Sequence, residues 1–285
     1  MKNVKRMMVG VDIYAKANNV LKRAFMVAHE NKAELFIIYA IPTPWFDVPS
    51  YFSSKEITID TDNIKKKIDK KVKVLNSKYN VPYTVLMKEG SAHDVLAYEA
   101  KLLKADMVVI GANTSGKKHY LGSTAEKVAH ESHLPVLIVK NPVKGTYKNI
   151  VAATDFLIQS KHSILFAKVI FPTAKINAVH SVETTMYIDG PYTMVGRDLS
   201  EFNRVARLYA GKEMNKMVKD MSLDKGKVFD GEFNTKRALV KYIDKGKYDL
   251  TVVGSRGTAG FKALLGSMAS SILRETPTDV LVYVP

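Results

Sequence analysis

A glycine-rich stretch at residues 251–271, TVVGSRGTAGFKALLGSMASS, carries residue types that could bind a phosphate group. An apolar, strand-like run stops at Gly254, and a turn containing Gly257 follows it. Gly266 and Ser267 then open a segment with helical spacing. Glycine lets the backbone approach an anion closely, and the free N–H groups and dipole of a helix start favour negative charge. The stretch is a candidate phosphate-binding turn, although most glycine-rich turns only connect elements.

A second glycine-containing loop, residues 111–118 (GANTSGKK), also follows an apolar run. It nearly matches the phosphate loop of P-loop NTPases, G-x-x-x-x-G-K-[ST], whose final hydroxyl ligates Mg²⁺. Lys118 stands in place of that hydroxyl, and the stretch at Gly254 has no such lysine, which argues against P-loop chemistry. Lys117, Lys118 and His119 could hold a smaller anion or simply form a solvated basic loop.

The two loops belong to an internal repeat. Asp155 lies 143 residues after Asp12 at the end of a similar apolar run, and Gly254 lies 143 residues after Gly111. Two further pairs agree at 144 residues: Gly122-Ser123 with Gly266-Ser267, and Val136-Leu137 with Val280-Leu281. Such self-similarity predicts a tandem duplication, with one domain at residues 1–143 and a second at residues 144–285.

Each half has the pattern of a five-stranded α/β unit. Continuous apolar runs such as residues 33–41 predict strands buried on both faces, and they alternate with segments of helical spacing such as residues 18–29. Ligands bind at the carboxyl edge of such parallel sheets. Two long connections, residues 42–54 and 183–197, follow the second strand of each half and are candidate lids or plain surface loops.

Composition places the chain among ordinary globular proteins, with 46% apolar and 25% charged residues. No stretch approaches the roughly 18 uncharged apolar residues of a membrane span, and the amino-terminal apolar run is too short for a secretory signal. The absence of cysteine excludes disulfides, thiol nucleophiles and thiolate metal sites. We expect a cytoplasmic protein without a membrane partner.

The net charge of +15 could indicate nucleic-acid binding. However, residues 1–143 contain 22 Lys and Arg against 14 Asp and Glu, and the remainder contains 21 against 14, so the charge is evenly spread. The densest run, residues 65–73, includes Ile68 and Val72 at helical spacing, which predicts the solvated face of an amphipathic helix. We therefore expect no nucleic-acid partner.

The second half resembles the ATP-binding members of the universal stress protein family, which carry G-x2-G-x9-G-[ST] after the fourth strand. The corresponding residues here give G-x2-G-x8-G-S and are Gly254, Gly257, Gly266 and Ser267. Thr154-Asp155-Phe156 and His180, at the ends of the first two strands of this half, are also similar to that family. The resemblance covers nearly the whole chain, once per half. It implies an α/β fold of two tandem doubly wound five-stranded parallel sheets, Rossmann-like, each of order 3-2-1-4-5.

The resemblance implies ATP, alone or with Mg²⁺, as the ligand of the second half. It places these residues around the phosphates and ribose: Val253, Gly254, Arg256, Gly257, Gly266, Ser267 and Met268. It places Ala153, Thr154 and Asp155 on the nucleoside side, with main-chain contacts to adenine from Ser181. Each residue also has a structural interpretation: the glycines may serve only a tight turn, and Ser267 and Asp155 may serve only as helix caps.

The first half departs further from the family pattern. Its loop gives G-x4-G-x5-G-S, formed by Gly111, Gly116, Gly122 and Ser123. Asp12, Ala40 and Thr124 take the corresponding pocket positions. Because a shortened loop would move the amide donors out of register with a triphosphate, we expect the main site in the second half.

Catalytic residues are not evident. His130 and His133, three apart on a predicted helix, lack a third metal ligand, and Ser123 and Ser267 lack a neighbouring base. We expect a nucleotide-responsive stress regulator with a regulatory protein partner rather than an enzyme, with slow ATP hydrolysis as a weaker alternative. The other alternative is an interaction module of the same fold that binds no nucleotide or a different small ligand. The resemblance also implies that residues 136–139 and 280–284 pair within one chain as an internal pseudo-dimer, or between two chains as a homodimer.

Overall fold

The computed structural model describes residues 3–12, 17–42, 60–112, 121–183, 199–231, 234–255 and 265–285. The first half contains, in order, β1 (Arg6–Val11), α1 (Ala17–Asn31), β2 (Glu34–Ile41), α2 (Thr61–Tyr79), β3 (Tyr83–Glu89), α3 (Ala92–Leu102), β4 (Met107–Gly111), α4 (Ser123–Glu131) and β5 (Val136–Val139). The second half contains β6 (Asn149–Ala153), α5 (Ile158–Ile170), β7 (Lys175–Val182), α6 (Leu199–Asp220), β8 (Lys225–Asp230), α7 (Thr235–Lys245), β9 (Leu250–Gly254), α8 (Ser267–Glu275) and β10 (Asp279–Tyr283).

The strands form one ten-stranded sheet in the order β3-β2-β1-β4-β5-β10-β9-β6-β7-β8. Within each half the neighbouring strands are parallel and follow the predicted 3-2-1-4-5 order, which confirms the fold class. The two predicted sheets are joined into a single sheet where β5 and β10 pair antiparallel.

The β5–β10 register reflects the duplication. Leu137 pairs with Leu281, its own equivalent in the repeat, and Val136 and Ile138 flank it opposite Val282 and Val280. A strand that pairs with its own copy about one central residue has local two-fold symmetry. The predicted pairing within one chain is therefore present, and it buries apolar side chains on both sides of the junction.

Two helical layers cover the sheet. The alternation of strand side chains separates the apolar core, so that in β1 Met7 and Val9 pack into one cluster and Met8 packs into the other. Residues of α1, α2, α5 and α6 belong to the first cluster, and residues of α3, α4, α7 and α8 to the second. The lysine-rich α2 buries Ile64, Ile68 and Val72 and exposes most of its lysines, as predicted from their spacing.

A buried polar cluster stabilises the junction between the halves. The Asp279 carboxylate, 1% exposed, accepts hydrogen bonds from Tyr147 Oη at 2.6 Å and from the backbone N–H groups of Lys140 at 2.8 Å and Asn141 at 3.0 Å. Arg23, from α1, stacks on the Tyr147 ring at 3.7 Å and places Nε 3.7 Å from Asp279 Oδ2. Burial raises the pKa of Tyr147 well above its usual value, and the Asp279 charge acts in the same direction, so the hydroxyl stays a donor.

Lys140 joins the halves in a second way. Its Nζ donates to the carbonyls of Leu273 and Thr276, both at 2.7 Å, at the carboxyl end of α8. Cations and N–H donors at that end satisfy carbonyls that lack helical partners. Burial lowers the pKa of Lys140 to about 8, against the opposing attraction of Asp279.

Three sequence-based expectations have different outcomes in the structure. The candidate lids lie outside the described residues, except for Pro42 and Glu183. His133 is not helical, since α4 ends at Glu131 and Ser132 turns to extended backbone (φ −67°, ψ 142°), so the placement of both histidines on one helix is wrong. Within the described part of the chain, no helix is long and apolar enough to cross a membrane.

Candidate functional site

A cleft of about 920 Å³ opens at the carboxyl edge of the second half. It lies where β6 and β9 are neighbours in the sheet, with α5 following β6 and the start of α8 closing the other side. The chain leaves these two strands toward opposite helical layers, which makes this the switch point at which ligands bind in open α/β sheets.

Most of the predicted second-half residues meet in this cleft. Those that line it are Ala153, Thr154, Asp155, Ser181, Val253, Gly254, Gly266 and Met268. Ser267 is the first residue of α8 and lies between two lining residues in the chain. Arg256 and Gly257 fall outside the described residues.

The end of β6 is held by a hydrogen-bonded group around Ser160, a residue that the sequence analysis missed. Ser160 Oγ lies 2.9 Å from Thr154 Oγ1 and donates to Asp155 Oδ1 at 2.8 Å. Asp155 Oδ1 also accepts from the Leu157 N–H at 3.0 Å, which is an Asx turn before α5 and not a helix cap, because the N-cap of α5 is Leu157 and has no side-chain cap bond. Asp155 Oδ2 has no hydrogen-bond partner among the described residues, so one carboxylate oxygen remains for a ligand.

His180 links the ends of β6 and β7. Its Nδ1 lies 2.8 Å from the Thr154 carbonyl oxygen, and its ring packs against Phe156 with centroids 4.5 Å apart. Because a carbonyl oxygen only accepts, Nδ1 must carry the proton, and in the neutral ring Nε2 is then an acceptor. His180 lines the cleft together with Ser181.

Two serine hydroxyls of the cleft lack partners among the residues that the structure describes. Ser181 Oγ and Ser255 Oγ are buried and make no hydrogen bond within that part of the chain, and Ser255 is only 1% exposed. Buried hydroxyls are nearly always hydrogen-bonded, so an unpaired pair in one cleft indicates a ligand or water that completes them. Ser255 was also missed, although its position directly after Gly254 in the glycine-rich turn could have indicated it.

The start of α8 is suited to an anion. Gly266 is its N-cap, makes no side-chain cap, and the first turn contains no acidic residue. The first N–H groups of the helix therefore lack a side-chain acceptor, and the helix dipole favours negative charge there. Packing also favours glycine at position 254, because a Cβ there would lie 3.0 Å from the Gln159 carbonyl oxygen of α5.

The predicted first-half residues lie at the corresponding edge of the sheet. Asp12 follows β1, and Ala40 is the next-to-last residue of β2. Gly111 ends β4, Gly122 is the N-cap of α4, and Ser123 and Thr124 begin that helix. Gly116 lies outside the described residues. Unlike α8, α4 carries an acidic residue, Glu126, in its first turn, which disfavours an anion at this end.

Metal ligands are not grouped in the described residues. No set of three or more His, Cys, Asp or Glu side chains in that part of the chain is arranged to hold a metal ion.

Comparisons with known proteins agree with the duplication. The model of the Universal stress protein family matches residues 3–140 and again residues 146–284. A universal stress protein of Methanocaldococcus jannaschii is 31% identical over 145 residues, which cover 49% of this chain and 84% of that protein.

Solved structures show the same fold over the full length. A universal stress protein from Archaeoglobus fulgidus aligns with a TM-score of 0.66 at 18% identity, covering 98% of this chain and 97% of that chain. A putative universal stress protein from Pseudomonas aeruginosa aligns with a TM-score of 0.66 at 16% identity, covering 98% and 93%.

Proposed function

The chain belongs to the universal stress protein family, and on that premise we propose that it binds ATP or another adenine nucleotide in the cleft of its second half. In this proposal the domains are residues 1–143 and 144–285, and the second carries the ligand. The protein acts in the cytoplasm as a nucleotide-responsive regulator of a partner protein, and it does not turn its ligand over as a dedicated enzyme.

The observation that carries the proposal is the set of unsatisfied polar groups in one cleft. Within the described ranges, Ser181 Oγ and Ser255 Oγ are buried without partners, and the first turn of α8 has neither a side-chain cap nor an acidic residue. Hydroxyl and N–H donors held in a concave site of this size suit a phosphorylated small molecule.

Each group has a distinct part in binding. The N–H groups of α8 and the Ser267 hydroxyl donate to phosphate oxygens, which explains why small residues surround them. Asp155 is held by Leu157 and Ser160 through Oδ1, so Oδ2 can accept from a ribose hydroxyl. Ala153, His180 and Ser181 flank the remaining space, where the base binds. Bound Mg²⁺ would supply charge neutralisation of the phosphates.

The first half serves a different role in this proposal. Glu126 adds negative charge to the first turn of α4, where the helix dipole would otherwise favour an anion, and its carboxylate forms an ion pair with Arg274 of α8. We therefore assign the first half to interaction rather than to nucleotide binding. This is the observation that favours the alternative of an interaction module, restricted to one half of the chain.

The test uses the repeat as its own control. Gly266→Asp places a carboxylate at the N-cap of α8, where aspartate stabilises the helix while repelling a phosphate. Gly122→Asp makes the same change at the equivalent N-cap of α4. Isothermal titration with ATP should show saturable binding by the wild type and by Gly122→Asp, with at least tenfold weaker binding by Gly266→Asp. Absence of binding by the wild type refutes the function, and equal weakening by both variants refutes the location.

A further inference from the structure

Helix α6 presents an unusual outward face. Phe202, Val205 and Tyr209 recur at helical spacing and are 60%, 51% and 66% exposed, and Leu208 beside them is 52% exposed. The opposite side of the helix is buried through Ala210, Met214 and Met217, so these four apolar side chains point away from the sheet. Their exposed area is on the order of 400 Å², which is within the range of the largest apolar patch on an ordinary monomer, a kind of patch that is often functional.

The same stripe continues as a row of lysines. Leu208, Lys212, Lys216 and Lys219 follow one another at intervals of four, four and three residues, and the three lysines are exposed. They form no ion pair with a described residue, whereas the two arginines of α6 are paired, Arg204 with Glu201 and Arg207 with Asp230. The outward stripe of α6 is thus apolar for its first turns and cationic for its last turns.

The equivalent helix of the first half lacks this combination. In α2 the outward positions are basic, with Lys66, Lys70 and Lys73 exposed, and Val74 is its one large exposed apolar side chain. Helix α6 packs on β8 and β7 at one edge of the sheet, whereas α2 packs on α1 in the other half. The α6 stripe is therefore a surface of its own.

The chemistry of the stripe favours lipid over protein as its occupant. Lysine is depleted from protein interfaces, and the apolar area is about half of what one partner buries in a stable complex. A nucleic acid would use the lysines but not four aliphatic and aromatic side chains. An anionic bilayer uses both, because its headgroups attract lysines and its interface accepts a projecting apolar ridge.

We propose that the outward stripe of α6 docks the protein reversibly on an anionic lipid surface. Phe202, Val205, Leu208 and Tyr209 enter the interface, and Lys212, Lys216 and Lys219 contact the headgroups. The contact is peripheral and requires no membrane span. It revises the expectation of no membrane partner, which rested on the lack of an apolar run long enough to span a membrane.

The test measures co-sedimentation of the full chain with phosphatidylcholine vesicles that contain about one third phosphatidylglycerol, and with phosphatidylcholine alone. Three lysines, each contributing roughly a fivefold factor, should together strengthen binding on the order of a hundredfold. The combined change Lys212→Glu, Lys216→Glu and Lys219→Glu should lose at least that factor. The combined change Lys66→Glu, Lys70→Glu and Lys73→Glu on α2 alters the net charge equally and should bind within a factor of a few of the wild type. Phe202→Ala with Tyr209→Ala should lose roughly tenfold or more.

The outcomes that overturn the proposal are distinct. Equal losses in the α2 and α6 charge variants would show non-specific attraction, and unchanged binding by the Phe202 and Tyr209 variant would remove the apolar contact. Concentration-dependent dimers that disappear in that variant, without vesicle binding, would assign the stripe to a second copy. Binding of an RNA duplex that depends on the α6 lysines alone, without vesicle binding, would assign it to nucleic acid. All substituted side chains are exposed, and circular dichroism verifies that the variants fold.

Discussion

Replacing Asp279 by alanine should destabilise the protein far more than replacing a comparable exposed aspartate. Asp279 is buried at the junction of the halves, where it accepts from Tyr147 Oη and two backbone N–H groups and faces Arg23. Asp249 provides the control, because its carboxylate also accepts from two backbone N–H groups, those of Lys148 and Asn149, but is exposed.

The two expected losses of unfolding free energy differ because only Asp279→Ala leaves a buried cation without its counter-charge. Arg23 is 5% exposed, its Nη1 donates to the Gly145 carbonyl at 2.8 Å, and its Nε lies 3.7 Å from Asp279 Oδ2, so Asp279 is a buried counter-charge to it. Breaking a buried pair by removing one partner costs roughly 3–5 kcal/mol of unfolding free energy. The exposed hydrogen bonds of Asp249 are worth about 1 kcal/mol. For a chain of this size the larger loss lowers Tm by roughly 10 °C.

Urea unfolding monitored by circular dichroism measures the free energy of unfolding of the wild type and of both variants, provided that their m values match. Asp279→Ala with Arg23→Met should recover part of the loss, because the double change also removes the stranded cation. A cost for Asp279→Ala no greater than that for Asp249→Ala would refute the reasoning. A double change as unstable as the sum of the single changes would refute the pairing with Arg23.

Three further predictions concern single residues. Burial lowers the pKa of Lys140 to about 8 from its ordinary 10.5, so between these pH values the unfolded chain binds a proton that the folded chain does not, and the contribution of Lys140 to stability should rise with pH. Chemical unfolding at pH 8 to 10 should therefore show an unfolding free energy that increases with pH, and Lys140→Met should flatten this increase. The same increase in Lys140→Met as in the wild type would contradict the prediction. Gly254→Ala should lower the free energy of unfolding by about 1–3 kcal/mol, since the new Cβ would lie 3.0 Å from the Gln159 backbone. Gly145→Ala, where a Cβ would have no atom within 4 Å, should change it by no more than about 0.5 kcal/mol. Equal melting temperatures of the two variants would disprove the close packing. Ser255→Ala should weaken ATP binding about tenfold without lowering the stability of the free protein, because its buried hydroxyl has no partner there, and a loss of stability with unchanged affinity would reverse this assignment.

The fold could be predicted because its determinants are local and repeated. Strands such as β2 and β4 are covered on both faces, so they are continuous apolar runs, and the helices between them show a separate periodicity. The repeat then limited the arrangement to two copies of one unit. The pairing of residues 136–139 with 280–284 came from the family resemblance, since nothing local marks an edge strand as a junction, and the register that sets Leu137 opposite Leu281 came only from the structure.

The parts of the site that could not be predicted are polar residues whose meaning depends on burial. Ser160 and Ser255 are ordinary serines in the sequence, and only the packing of α5 and β9 shows that one holds Asp155 while the other lacks a partner. Asp279 likewise receives its partners from residues more than 130 positions away. Gly254 and Gly266 were predicted from the type and spacing of the glycines and Asp155 from the family resemblance, and all three line the cleft.

Charge was the property that the sequence described least well. Counting by halves gives an even distribution, but the count does not distinguish Lys212, on an outward stripe of α6, from Lys140, which is buried against α8. A surface that combines lysines with Phe202 and Tyr209 becomes visible only when helix faces are known.

The most direct test of the account is the location of bound ATP by hydrogen–deuterium exchange. With saturating ATP, the amides of the first turn of α8, together with residues 153–160 and 180–183, should exchange more slowly, while the first turn of α4 should be unaffected. Protection at α4 instead, or bound ATP without protection at α8, would contradict the assignment of the nucleotide to the second half.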